Sequence, residues 1–268
     1  MNRRQLPSNA SQASAEVARD KAEAARLEYW NRHVPWTFKG EDLSYEEKRR
    51  LRYSLQDYMH STIAFDSYKS KLVLELGSGG GIDSAEFERY GADIISVDFT
   101  ETGSRATHAL LQNANLPANV VKSSALYLPF QGERFDCVYS FGVLHHIPEI
   151  KRALEETSRI LKPDGEMICM LYNRESLLYS YSILWMHRSE GLNEERLVRK
   201  YSERVFGCPY TRAYTKQEVV EIFGEHFDDV RAEVKYNVID LPDKRKFKLN
   251  LPDKYELGWH IIVKARRR

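Results

Sequence analysis

The chain has 268 residues, 42% of them hydrophobic, which is enough to bury the core of a full-sized domain. Its net charge of +1 excludes the strong basicity of a general nucleic-acid-binding protein, and we expect a cytoplasmic location because neither a membrane-length apolar run nor a secretory signal is seen. Cys137, Cys169 and Cys208 show no paired zinc-ligand spacing; they indicate a reducing compartment, with the first two as buried structural thiols.

We expect residues 13–67 to form a helical N-terminal lid and residues 68–268 to form the main domain. Residues 1–12 are polar and predict disorder, and the alanine-rich, charged sequence that follows is typical of an exposed helix. Ser44 and Glu47 then form a Ser-x-x-Glu capping box, which predicts the start of a second helix that continues towards the main domain.

A strand, a glycine turn, a helix and a second strand follow in close succession. Leu72–Leu76 is a short apolar run of buried-strand type, Gly77–Gly81 allows a tight turn and close ligand approach, and Asp83–Tyr90 has helical character. The second strand ends at Asp98, about twenty residues past the glycines, where a carboxylate can accept hydrogen bonds from ribose hydroxyls. This pattern predicts a site for an adenosine-type cofactor.

Two departures from the dinucleotide fingerprint indicate which cofactor binds. Counted from Gly77 and Gly79, the position of the third glycine holds Ile82, which is too bulky for the close helix packing of an NAD site. Glu75 would also repel a pyrophosphate, whereas it would attract the sulfonium and ammonium groups of S-adenosylmethionine. S-adenosylmethionine therefore fits this turn better than NAD.

The rest of the chain predicts an α/β fold with additions. Residues 68–173 alternate strands and helices, as a doubly wound parallel sheet requires. Residues 174–214 interrupt this alternation after the fifth strand and predict a helical cap insertion. VRAEVKYNVI and WHIIVKA then predict two late strands that complete the sheet.

Five blocks in this order resemble the class I S-adenosylmethionine-dependent methyltransferases, in particular the small-molecule branch of ubiquinone-biosynthesis-type and methyltransferase-11 domain proteins. The blocks are ELGSGGG, SVDFT, SSALYLPF, RFDCVYSFGVLHHI and RILKPDGEMICMLYN. The resemblance implies a Rossmann-like, mainly parallel seven-stranded sheet in which the last strand lies between strands five and six. It also implies S-adenosylmethionine as methyl donor and S-adenosylhomocysteine as product. The sequence has no recognisable carboxylate cluster for metal assistance, so we expect no metal.

The resemblance further implies cofactor contacts along the glycine turn and at the ends of the first four strands. The residues at those positions are Glu75, Gly77, Ser78, Gly79, Gly81, Asp98, Phe99, Ser124, Ala125, Leu126, Ser140 and Phe141. In the family the glycines hold the methionine part, the acid after strand two holds the ribose, and the Ser124 segment lines the adenine. Many relatives carry Asp where this chain has Ser124, so the adenine contact here would be weaker or made through the backbone.

Candidates for the acceptor side lie beyond strands four and five and in the covering segments. His145 and His146 follow strand four, where a histidine could remove a substrate proton or serve only to position the substrate. No base is obligatory, because alignment alone can contribute about 7–11 kcal/mol to an in-line displacement. Aromatic residues of these segments either wall the substrate pocket or attach the lid; the pocket candidates are Tyr53, Tyr58, Tyr172, Asn173 and Tyr214.

The sequence therefore predicts a methyltransferase acting on a small molecule enclosed between the N-terminal lid and the cap insertion. An RNA-modifying methyltransferase is an alternative, although SFGV stands where base-amino methyltransferases carry an Asp/Asn-Pro-Pro-aromatic motif. A non-catalytic, cofactor-binding interaction protein is another. Neither a nucleic-acid nor a membrane partner is indicated, and one chain does not define an oligomeric state.

Overall fold

Seven strands form one mainly parallel sheet, with helices on both faces. The computed structural model describes residues 9–35, 43–203, 207–241 and 246–268. Its helices are α1 (Asn9–Arg32), α2 (Tyr45–Leu55), α3 (Met59–Ile63), α4 (Ile82–Arg89), α5 (Glu101–Asn113), α6 (Ile150–Ile160), α7 (Glu194–Tyr201) and α8 (Lys216–Phe223). Its strands are β1 (Leu72–Leu76), β2 (Asp93–Asp98), β3 (Val120–Lys122), β4 (Phe135–Phe141), β5 (Leu161–Tyr172), β6 (Phe227–Lys235), β7 (Val238–Asp240), β8 (Lys246–Lys248) and β9 (His260–Arg267).

The strand order is β3-β2-β1-β4-β5-β9-β6, which confirms the expected Rossmann-like sheet. β1 to β5 pair in parallel, whereas β9 runs antiparallel between β5 and β6. Because β9 is antiparallel, its first residue, His260, lies beside Tyr172 at the carboxyl end of β5. The beginning of the last strand thus reaches the same sheet edge as the ends of the parallel strands, where ligands of α/β folds bind.

The sheet separates two apolar cores. Alternate residues of β1 point to opposite faces, so Val73 packs into one core and Leu74 into the other. The first core includes Phe87 of α4, and the second includes Leu154 of α6. Cys137 and Cys169 are buried within these cores and unoxidised, and burial raises the pKa of both thiols, as expected for structural cysteines.

The N-terminal lid consists of α1, α2 and α3. The expected capping box is present, since Ser44 accepts from the Glu47 amide while the Glu47 side chain accepts from the Ser44 amide. The single long helix expected after it is interrupted at Gln56, whose φ of −126° leaves the helical region, and α3 follows as a separate turn. Of residues 1–12, for which disorder is predicted, residues 1–8 lie outside the described part of the chain, whereas residues 9–12 belong to α1, which begins at Asn9.

The cap insertion follows β5 and is helical. A π-helix spans Leu178–Trp185, and α7 packs against it, burying Ile183 and Leu197. β7 and β8 form a small antiparallel pair that also contacts the π-helix. Within the described ranges, no helix combines the length and apolarity needed to cross a membrane.

Candidate active site

A cavity of about 1190 Å³ opens at the carboxyl ends of the parallel strands, beneath the N-terminal lid and the cap insertion. Ligand pockets are commonly about 300–1000 Å³, so this one has room for a cofactor together with a second molecule. Trp30 of α1 and Ile183 of the π-helix line it on the outside, and the glycine turn lines it on the sheet side. The cavity therefore has walls from all three parts of the chain.

The glycine turn after β1 brings bare backbone to the cavity. Gly77 has a φ of +80°, and a Cβ atom built on it would lie 2.2 Å from Cγ2 of Val143. Gly79 has a φ of +53°, also in the left-handed region that favours glycine. Any side chain at Gly77 would thus force the turn away from Val143 in the segment after β4, which also lines the cavity.

Asp98 fixes the other side of this turn. Its Oδ2 accepts from the Gly79 amide at 2.8 Å, and its Oδ1 accepts from the amide of Thr100 at 2.8 Å and from its hydroxyl at 2.7 Å. A carboxylate has about four acceptor positions, so one remains for a ligand. Phe99 follows Asp98 at the cavity wall, and the expected adenine segment, with Ser124, Ala125 and Leu126, lines the same region.

Glu75 is a buried carboxyl at the end of β1, only 3% exposed. Burial raises the pKa of Glu75 well above its usual range, and the neighbouring Asp83 and Asp98 raise it further, although Ser84 donates a hydrogen bond and Arg52 opposes the shift. Near the turn, the three carboxyls of Glu75, Asp83 and Asp98 outnumber the single guanidinium of Arg52 that acts on Glu75. A positively charged ligand would relieve this imbalance, whereas an anionic pyrophosphate would worsen it.

Arg52 of α2 ties the N-terminal lid to the glycine turn. Its guanidinium donates to both carboxylate oxygens of Asp83, at 3.1 and 2.7 Å, and both side chains are buried. Asp83 also accepts from the hydroxyls of Tyr53 and Tyr139. The guanidinium lies over the ring of Phe141, 4.6 Å from its centroid. Asp83 lies in the first turn of α4, so its ion pair with Arg52 connects the N-terminal lid to the cofactor side of the cavity.

The two histidines after β4 lie in different environments. His145 is fully buried against Tyr172, with 3.8 Å between ring centroids, and is not among the cavity-lining residues. His146 lines the cavity, and its Nε2 lies 3.4 Å from Oε1 of Glu203. Burial lowers the pKa of His146, but the Glu203 carboxylate outweighs burial and raises the pKa to about 10. Nδ1 of His146 faces the Tyr210 carbonyl at 3.0 Å and Nε2 faces the Glu203 carboxylate, so neither nitrogen is placed to accept a substrate proton.

These histidines and Glu203 also form a small group of possible metal ligands, with one atom from each within 4.8 Å of the others. Two features compete with a metal there. Tyr172 donates to Oε1 of Glu203 at 2.8 Å, and the same carboxylate is the counterion of His146. The expected metal independence of the reaction stays a prediction.

Most of the expected cofactor residues line the cavity, but Ser140 does not. The lining set includes Glu75, Gly77, Ser78, Gly79, Gly81, Asp98, Phe99, Ser124, Ala125, Leu126 and Phe141. Ser140 is fully buried, and its hydroxyl donates to the carbonyl of Leu76 at 3.2 Å, because alternate residues of β4 point away from the cavity.

Of the expected pocket residues, Tyr172 lines the cavity and the other four do not. Tyr53 donates to Asp83, and Tyr58 bonds to His260, so both hydroxyls lie behind the wall. Asn173 donates to the Gly258 carbonyl at 2.9 Å, and Tyr214 is fully buried next to it in a β-bridge. These four side chains support the wall instead of forming it.

Several lining residues were not predicted from the sequence, namely Arg52, Lys246, Trp259 and His260. WHIIVKA was identified as a strand, but its first residues reach the cavity only because β9 runs antiparallel to β5. The aromatic start of that strand was the available signal, combined with the expected place of the last strand beside strand five.

Comparison with known proteins agrees with the fold, which is that of a Rossmann-like methyltransferase. The methyltransferase domain family matches residues 74–169. A ubiquinone biosynthesis O-methyltransferase of Cereibacter sphaeroides is 30% identical over 186 residues, covering 65% of this chain and 71% of the relative. This chain belongs to the class I S-adenosylmethionine-dependent methyltransferases.

Other relatives extend the comparison. A demethylmenaquinone methyltransferase of Thermobifida fusca is 37% identical over 107 residues, 39% of this chain and 45% of the relative. The crystal structure of magnesium protoporphyrin IX methyltransferase from Synechocystis PCC 6803, with bound SAH, superposes with a TM-score of 0.56 at 14% identity, covering 95% of this chain and all of that one. At that identity the superposition shows the fold alone.

Proposed function

We propose that this methyltransferase acts on a small, largely apolar molecule enclosed between the N-terminal lid and the cap insertion. The observation that carries the proposal is the single cavity lined both by the glycine turn and by the two covering segments. An acceptor held under those segments would lie against the cofactor's reactive end and away from water, which favours an aligned displacement.

The donor half of the proposal places the cofactor along the glycine turn. Bound S-adenosylmethionine supplies an activated methyl group on a positively charged sulfur. Gly77 and Gly79 would admit the methionine part, and the remaining acceptor position of Asp98 would receive one ribose hydroxyl. The positive charge of the bound cofactor would favour the ionised form of Glu75, which would then stabilise that charge. These roles fit the buried carboxyls and the open backbone of the turn.

The acceptor half is aromatic. Tyr172 and Trp259 stack with 4.2 Å between their centroids and an interplanar angle of 25°, and Trp30 contributes a third ring from the N-terminal lid. Flat aromatic walls suit a planar acceptor. Two relatives are named for ubiquinone biosynthesis and for demethylmenaquinone, which supports a ring-containing acceptor here.

Two short positively charged segments, one with Lys246 and Lys248 and the other with Arg267 and Arg268, give little support to an RNA substrate. Lys246 pairs with Asp240, and Lys248 pairs with Asp57. At the carboxyl end, Arg267 and Arg268 pair with Glu133 and Asp228, respectively. These carboxylates lower the net positive charge of the segments, and a surface with little net charge attracts phosphates weakly.

The test supplies purified enzyme with methyl-labelled S-adenosylmethionine and, in parallel, phenols, quinols, amines and total RNA. We expect label in a small molecule. Trp30→Ala should raise the acceptor KM at least tenfold, while Trp185→Ala, the same change at a half-exposed position outside the cavity wall, should leave it unaltered. Label in RNA alone would refute the proposal, and cofactor binding without any transfer would favour a non-catalytic role.

A further inference from the structure

A methyl acceptor that carries an O–H or acidic N–H group must lose a proton, and one histidine of the cavity wall is placed to take it. His260 is the first residue of β9 and is 3% exposed. It lines the cavity, whereas His145 does not, and no carboxylate of the described residues pairs with it as Glu203 pairs with His146.

The position of His260 puts it near the reacting end of the donor. Its ring meets the ring of Phe141 edge-on, with 5.7 Å between centroids. Phe141 ends β4, and Val143, two residues later, packs against Gly77 of the glycine turn. The imidazole therefore contacts Phe141 at the end of β4, and the residues that follow Phe141 border the cofactor turn.

The ring is held in a defined orientation. The Tyr58 hydroxyl lies 2.5 Å from Nδ1, and the Tyr236 ring stacks on the imidazole at 4.6 Å. Among the described residues, none hydrogen-bonds to Nε2. If Nδ1–H donates to the Tyr58 oxygen, the Nε2 lone pair is left for a ligand in the cavity.

The surroundings of His260 favour its neutral form. Burial lowers the pKa of His260 well below its ordinary value, and the charges of Arg52 and Lys246 lower it further. The titratable and charged groups that face it from the packed elements are Arg52, Tyr58, His145, Tyr172, Tyr236 and Lys246. None of these is a carboxylate that would hold the imidazole in its protonated form.

We propose that Nε2 of His260 is the general base that removes the acceptor's proton during methyl transfer. The inference rests on the proposed function. The acceptor heteroatom forms its bond to the methyl carbon as the carbon–sulfur bond breaks, and the electron pair of that bond stays on sulfur. The acceptor proton passes to Nε2, while Tyr58 accepts from Nδ1–H and stabilises the imidazolium. The substrate class is thereby narrowed to acceptors with an ionisable O–H or N–H group.

The first test compares wild type, His260→Asn and Tyr58→Phe on a series of phenols from unsubstituted phenol to 4-nitrophenol. General-base catalysis contributes about 10²–10⁴-fold, so we expect that loss of kcat in His260→Asn with phenol and a smaller loss with 4-nitrophenol above its own pKa. Affinity for S-adenosylhomocysteine should not change. His108→Asn, at an exposed position of α5, is the matched control. Equal losses with both phenols, or no loss, would overturn the assignment.

The second test needs no acceptor. Nitrogen-15 spectra of histidine-labelled enzyme with S-adenosylhomocysteine bound should show His260, assigned by its absence in His260→Asn, as a neutral ring protonated on Nδ1 at neutral pH. Tyr58→Phe should shift the ring towards the Nε2–H form and reduce kcat about tenfold. A ring already protonated on Nε2 in wild type would overturn the inference. Absence of any methyl transfer by wild type would instead refute the proposed function, and the spectra would still decide the state of His260.

Discussion

Arg52→Met tests the brace between the N-terminal lid and the cofactor turn. Arg52 and Asp83 are 2% and 6% exposed, and the substitution removes the guanidinium while keeping an unbranched side chain. Breaking a buried ion pair from one side costs about 3–5 kcal/mol, because the remaining charge stays buried. Asp83 keeps hydrogen bonds from Tyr53 and Tyr139, so we expect about 3 kcal/mol, the lower end.

For a chain of this size, about 3 kcal/mol corresponds to a fall in Tm of about 6–12 °C. Urea unfolding measures the loss of free energy, and thermal unfolding measures the fall in Tm. Combining Arg52→Met with Asp83→Asn removes the stranded charge and should recover about half of the loss. Lys248→Met, which breaks the exposed pair with Asp57, should leave stability unaltered. The brace would be refuted if Arg52→Met were as stable as wild type. It would also be refuted if adding Asp83→Asn lowered the free energy of unfolding by the same amount again.

Other predictions concern the donor side of the cavity. Gly77→Ala places a Cβ 2.2 Å from Cγ2 of Val143 and should abolish S-adenosylmethionine binding in isothermal titration, whereas Gly79→Ala, whose nearest neighbour is 3.6 Å away, should retain part of it; equal affinities would contradict the close packing. Asp98→Ala removes a charge-assisted acceptor and should weaken cofactor binding about tenfold or more, so unchanged affinity would refute the ribose role. The raised pKa of Glu75 means that the folded protein binds an extra proton, so the free energy of unfolding should fall as pH rises above the ordinary 4.5. Glu75→Gln should flatten this fall in urea titrations at about pH 5 and pH 8, and an unchanged slope would exclude Glu75 as its source. Methyl transfer should persist in EDTA; a loss that added metal restores would show metal dependence.

The sheet and its cofactor turn were predictable because their signals are local. Leu72–Leu76 is a strand with the expected bounds, and Asp98 ends the following strand as expected. The capping box at Ser44 specifies where α2 begins through two reciprocal hydrogen bonds. Each of these features depends on a few neighbouring residues, so composition and spacing were sufficient.

Breaks within elements were not predictable from periodicity. The stretch VRAEVKYNVI reads as one strand, but Tyr236 has a φ of +69° and separates β6 from β7. Gly258 approaches the carbonyl of Lys235 so closely that a Cβ on it would lie 2.1 Å from that oxygen. This bend depends on a contact with a residue more than twenty positions later, which a local pattern does not contain.

The acceptor side was harder to predict than the donor side for the same reason. Trp30, Ile183 and His260 come from the N-terminal lid, the cap insertion and the last strand, and only tertiary packing brings them to one cavity. The sequence favoured His145 and His146 because they follow β4. His145 is buried behind the cavity wall, and His146 is paired with the Glu203 carboxylate, which raises its pKa.

Isothermal titration of the purified chain with S-adenosylmethionine, S-adenosylhomocysteine and NAD tests the central claim most directly. We expect micromolar binding of the first two ligands and none of NAD. The buried carboxyls beside the glycine turn would attract a cationic ligand and repel a pyrophosphate. Binding of NAD without either sulfur-containing ligand would contradict the account.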